Sequence, residues 1–152
     1  MMSGDKTKVL LMVGTRKGGF ILTSDRQRKK WHLGNPLFKG WSVMHLILDP
    51  RDRRIHAGVV HDIFGPSTHY SDDLGTEWTQ SLESPTFTRP SRSGRPLASS
   101  GEPSAPQEVQ SNPEKVNKVW HIKPAGKDQP GVLYAGIQPA ALFKSTNYKE
   151  LL

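Results

Sequence analysis

Short apolar runs separated by tight polar turns recur along this chain, and that alternation predicts strands. In the middle third the runs are Val43–Leu48, Ile55–Val60, Thr68–Ser71 and Glu77–Gln80, joined by "DPRDRR", "HDIFGPS" and "DDLG". They are rich in β-branched and aromatic residues and bounded by Asp, Gly and Pro, which favours strand over helix. Glycine and proline punctuate the whole length, where a helical bundle would keep long stretches free of them.

The same grammar repeats. "KVLLMVGTRKGGFILTSDRQRKKW", "RIHAGVVHDIFGPSTHYSDDLGTEW" and "GVLYAGIQPAALFKSTNYKELL" each carry an apolar strand, a second strand ending in serine, and a polar turn. Ser24 precedes Trp31 by the same interval that separates Ser71 from Trp78, and Ser145 from Leu152. Upstream, "VMHLILDP" parallels "VWHIKPAG", with His45 and His121 in register. Each unit therefore reads as four short antiparallel strands. Such a unit cannot bury both faces alone, so it comes stacked, and four-stranded sheets repeated along a chain are the blades of a β-propeller.

The predicted fold is all-β: a partial β-propeller of roughly two and a half four-stranded antiparallel blades, spanning about residues 8–34, 41–81 and 118–152. The first unit begins at its second strand and the third ends inside its turn, which predicts the N-terminal piece of a longer protein. Residues 84–112, rich in Ser, Pro and Arg, have no apolar period and are expected to form a mobile loop inserted between blades. A stack with open ends also predicts marginal stability and self-association through its unpaired edges.

Composition narrows the function. The chain has 152 residues, no cysteine and a formal net charge of +7. The missing thiols exclude disulfides and thiolate metal sites. The first apolar run, Val9 to Val13, is shorter than the ~7–15 residues of a secretory signal, and nothing approaches the ~20 of a membrane span, so a cytoplasmic protein is expected. The positive charge clusters in "RQRKK", "RDRR" and "RPSRSGR", all turn-like and without interleaved aromatics. Solvated turn charge explains them better than nucleic-acid binding.

Two adjacent carboxylates, Asp72 and Asp73, raise the question of a hydrolytic pair. The stretch around them, "SDDLGTEW", resembles the Asp-box, S-x-D-x-G-x-(S/T)-W, of sialidase-type BNR repeats. Ser71, Asp73, Gly75 and Trp78 match, and Glu77 departs. "SDRQRKKW" keeps Ser24 and Trp31, and "STNYKELL" keeps Ser145 with Asn147 in place of Asp. Most of the chain is similar to bacterial BNR-repeat, glycosyl-hydrolase-like propeller proteins. The resemblance implies that the Asp-box is a structural turn on the side away from the catalytic centre. It also implies an arginine triad, a Tyr/Glu nucleophile pair and an Asp acid/base for a catalytic member. This chain lacks the family's (F/Y)-R-I-P segment, and its tyrosines, Tyr70, Tyr134 and Tyr148, lie in or beside strands.

The expected function is thus a binding or scaffold module without catalysis of its own; the alternative is the N-terminal part of an exo-sialidase-like glycoside hydrolase. The expected ligand is a carbohydrate or small anion. Arg16, Trp41, His45, Trp120 and His121 are the candidate ligand-facing residues, since the two histidines fall in the innermost strands. Against that stands a plainer reading, in which each histidine hydrogen-bonds to the neighbouring blade. No cofactor is expected, and the histidine spacing offers no metal site.

Overall fold

The computed structural model describes residues 8–81 and 115–147. The expected loop at 84–112, the basic "RPSRSGR", Tyr148 and Leu152 lie outside the described residues. Within them the chain is all-β, ten strands in three antiparallel sheets. The first sheet holds β1 (Val9–Thr15), β2 (Gly18–Ser24) and β3 (Trp31–Leu33); the second holds β4 (Ser42–Leu48), β5 (Ile55–His61), β6 (Gly65–Ser71) and β7 (Thr79–Gln80); the third holds β8 (Lys118–Pro124), β9 (Leu133–Gln138) and β10 (Ala141–Ser145). Each follows chain order, β1-β2-β3, β4-β5-β6-β7 and β8-β9-β10.

The register shows how closely the units repeat. β4 pairs with β5 so that His45 faces Gly58, and β8 pairs with β9 so that His121 faces Gly136. Both pairings slip at the same place, between Val43 and His45 and between Val119 and His121, which makes Met44 and Trp120 the extra residues of equivalent β-bulges. The expected turn "HDIFGPS" is shorter than its composition predicts, because pairing continues through Val60 with Pro66 and His61 with Gly65. Proline is tolerated there because β7 pairs only with His69 and Tyr70, leaving β6 an edge at Pro66.

Alternation within the strands builds two cores. Between the first two sheets lie Ile21, Val43, Leu46, Ile55, Ala57 and Val59, with Met12, Phe38, Trp41 and Trp78 packed around them. Between the second and third lie Val119, Ile122, Ala135, Ile137 and Phe143, with Ile47 against them. Successive residues of β5 point to opposite faces, so Ile55, Ala57 and Val59 serve the first core. One charged group is sealed with these cores. Asp49 is fully buried in the turn after β4, and Arg51 clamps it, Nε and Nη2 donating at 2.6–3.0 Å. The same guanidinium donates to the carbonyls of Gln129 at 2.6 Å and Val132 at 3.0 Å in the turn between β8 and β9, tying the second unit to the third. Arg51 therefore leaves the set of solvated turn charges to which the basic pattern of "RDRR" assigns it.

Candidate functional site

The two carboxylates that suggested a hydrolytic pair are each engaged. The Asp73 carboxylate accepts the main-chain N–H groups of Thr76 and Glu77, both at 2.9 Å, and the Ser71 hydroxyl at 2.7 Å. With the Glu77 N–H first among them, these donors hold its carboxyl below the ordinary carboxylate range. The Ser71 Oγ in turn accepts the N–H of Gly75 at 2.7 Å. Asp72 points the other way and pairs with Arg54 Nε at 2.6 Å, while that guanidinium lies 4.6 Å over the Tyr70 ring. Asp72 is thus ion-paired as well as exposed.

The turn closes on two residues of special shape. Leu74 and Gly75 both take positive φ, 61° and 97°. A Cβ on Gly75 would also stand 2.4 Å from Ile21 Cδ1, so only glycine allows the turn to lie against the first sheet. Trp78 follows, half-buried, its indole N–H donating to the Gly75 carbonyl at 3.2 Å and its ring edge-on to Phe38 at 4.9 Å. The degenerate copies keep the serine. Ser24 and Ser145 are buried like Ser71, Ser24 donating to the Lys30 carbonyl and Ser145 to Asn147 Oδ1 at 3.4 Å. In the first copy Asp25 supplies the missing carboxylate one position early, accepting the N–H groups of Gln27 and Arg28, each at 3.0 Å. Trp78→Ala is expected to cost about 2–4 kcal/mol, the lower end reflecting its half-burial, and Asp72→Ala less than about 1 kcal/mol, as an exposed pair does. Urea denaturation of both variants checks this; a larger effect from Asp72 would reverse the assignment.

The five candidate ligand residues do not form one group. His45 and His121 stack with ring centroids 4.0 Å apart, and His45 Nδ1 accepts the Ile122 N–H at 3.2 Å, bridging the second and third sheets. Burial first, and the facing His121 second, lower the basicity of His45. That bond is of the kind the plainer reading describes, one sheet's histidine bonded to the next sheet. His121 is exposed. Trp120 is also exposed, with the Lys118 ammonium 4.8 Å from its ring. Arg16 is exposed in the turn between β1 and β2. Trp41 lies apart from the histidine pair, packed against His61 at 4.6 Å and Phe38 at 6.2 Å. It precedes β4 and turns into the first core, which the linear pattern did not distinguish from facing the His pair.

A cleft of about 530 Å³ opens elsewhere, between the first sheet and the turn that follows Ser71. Its apolar wall is Ile21, Leu37, Phe38, Leu74 and Trp78; its polar positions are Thr23, His32, Asn35 and Thr76. Among the described residues no Asp, Glu, Lys or Arg lines it, in a chain of net charge +7. Residues 34–37 form its rim because they run on beside β2, Gly34 N–H donating to the Ile21 carbonyl and Gly19 and Leu37 exchanging both main-chain bonds. No single motif marks these residues; they meet where the turn that follows Ser71 folds back on Ile21. Among the described residues no group of three or more His, Cys, Asp or Glu could hold a metal ion, and no helix is long and apolar enough to cross a membrane.

No protein-family model matches the chain, and no curated protein matches it.

Proposed function

We propose that the chain is a run of sialidase-like BNR-repeat propeller blades acting as a carbohydrate-binding module, without catalysis of its own. The blade reading draws support from the repeated register and bulge of β4–β5 and β8–β9 and from the buried serine that closes each unit. The observation that carries the binding reading is the cleft at the Asp-box. An apolar wall containing Trp78 and Phe38 suits the C–H faces of a sugar ring, and Thr23, His32, Asn35 and Thr76 suit its hydroxyls. The lack of charged side chains selects a neutral saccharide over the small anion that the net charge of the chain invites. The carboxylates Asp72 and Asp73 are committed to Arg54 and to the turn backbone, which supports binding over hydrolysis.

The test is titration of the chain with neutral oligosaccharides, followed by amide chemical shifts. Shifts at His32, Asn35 and Thr76, weakened at least tenfold in affinity by Asn35→Ala, are expected. Shifts confined to Arg16, Trp120 and His121 on adding an anionic sugar would move the site away from the cleft. No response to any saccharide would remove the binding reading.

A further inference from the structure

The three described sheets meet by one repeated contact, and among the described residues each outer face of the stack holds a surface that this contact covers at the inner junctions. Gly14, Gly58 and Gly136 occupy the same position of the three units, in "VGT", "AGV" and "AGI". A Cβ on Gly14 would stand 2.4 Å from the Val43 carbonyl oxygen, and one on Gly58 would stand 3.0 Å from that of Val119. Val43 and Val119 are themselves equivalent, each preceding a bulge and its histidine. At each junction, then, the glycine face of one sheet receives the next sheet. Around Gly136 nothing among the described residues comes within 4 Å of such a Cβ. Leu142, opposite Gly136 in β10, is 72% exposed.

The first sheet has no counterpart of β4 and β8 among the described residues, but it shows the apolar face that those sheets bury. Counting from the glycines, Leu11 and Val13 correspond to Ile55 and Ala57 of the second sheet and to Leu133 and Ala135 of the third. All four of those are buried, whereas Leu11 is 46% and Val13 37% exposed. The first sheet thus presents the apolar face that its two successors bury, and the third presents the glycine face that its two predecessors cover.

We propose that these two faces dock on each other between two copies of the chain, the Gly136–Leu142 face of each copy receiving the Leu11–Val13 face of the other. The proposal rests on the reading of the sheets as stacked blades. A head-to-tail contact either closes or grows into open filaments. Two copies contribute six described sheets, within the ~4–8 of a closed ring, so reciprocal docking can close the pair. Each copy carries a net charge of +7, so added salt, by screening the repulsion, strengthens the pair.

Sedimentation equilibrium of the whole chain tests this. Twice the 16.9 kDa chain mass is expected, with the dissociation constant falling as salt is raised. Gly136→Val, which fills the open face, and Leu11→Asp, on the opposite face, should each weaken the pair at least tenfold with the circular dichroism spectrum unchanged. A monomer at all concentrations, assemblies that keep growing beyond two copies, or a pair indifferent to both substitutions would overturn the proposal. Gly58→Val separates this from the underlying reading, since it fills the same position at an internal junction. If Gly58→Val destabilises the chain while the wild type stays monomeric, the stacking stands and only the pairing of copies fails. If Gly58→Val leaves stability unchanged, the stacked-blade reading itself fails.

Discussion

Arg51→Ala is expected to destabilise the fold by about 3–5 kcal/mol, the usual result of removing one partner from a buried ion pair. Asp49 is fully buried, and burial alone would raise its carboxyl; the hydrogen bonds and charge of Arg51 outweigh that and leave it below its ordinary value. Without the guanidinium the carboxylate stays sealed from water with only the Arg51 N–H, at 2.9 Å, and the charge of nearby groups to stabilise it. The carbonyls of Gln129 and Val132 lose a donor at the same time. Domains of this size hold about 5–15 kcal/mol in total, so the loss is a large share. Urea denaturation of Arg51→Ala, Asp49→Ala and the double variant checks the mechanism. The double variant should be more stable than Arg51→Ala, because it removes the stranded charge. Arg51→Lys should fall between, since an ammonium cannot reproduce the fork. A loss below about 1 kcal/mol for Arg51→Ala would show the pair to be incidental.

Acid should weaken the fold well before its carboxylates protonate. His56 and His69 are buried, and burial lowers each from 6.5 to about 4; around His56 the charges of Asp49 and Asp52 oppose that shift and those of Arg54 and Arg51 add to it. The folded form therefore holds both rings neutral in a range where the unfolded chain protonates them. The stability they confer is complete above about pH 6.5 and is lost progressively as pH falls towards 4. By pH 4.5 the loss should reach about 2–3 kcal/mol for each ring. His45, lowered in the same direction, adds to it with the same sign. His69 sits between Ser67 Oγ at 3.1 Å and the Phe38 ring at 5.0 Å, so His69→Gln can keep the hydroxyl contact without the proton. Urea midpoints at pH 7, 5.5 and 4.5 should fall steeply for the wild type and less steeply for His69→Gln. Midpoints that do not move above pH 4.5 would contradict both assignments.

The strand repeat was legible because it depends on neighbours in sequence. Ser24, Ser71 and Ser145 each end a strand and bond within a few residues, so their spacing in the chain already describes the turn. His45 and His121 were in register for the same reason, since a bulge at one fixed place sets both. What the chain did not announce depends on long-range contacts. Arg51 reads as one more turn cation in "RDRR"; its burial is decided by carbonyls of Gln129 and Val132 nearly eighty residues on. Asp25 was hidden by a one-place shift, because a carboxylate at either position can cap the same turn. The cleft was invisible because Asn35 and Thr76 become neighbours only through the close packing of Gly75 on Ile21.

The close approach at Gly14 has a further consequence. Where β1 meets β4 a Cβ on Gly14 would stand 2.4 Å from the Val43 carbonyl oxygen, and where the turn before Trp78 meets β2 a Cβ on Gly75 would stand 2.4 Å from Ile21 Cδ1. The first two sheets thus approach closely at two separate places, and a glycine stands at each. The spacing of these two sheets is therefore set by what two positions lack, and a side chain added at Gly14 would push the sheets apart while leaving the pairing within each sheet to its own hydrogen bonds.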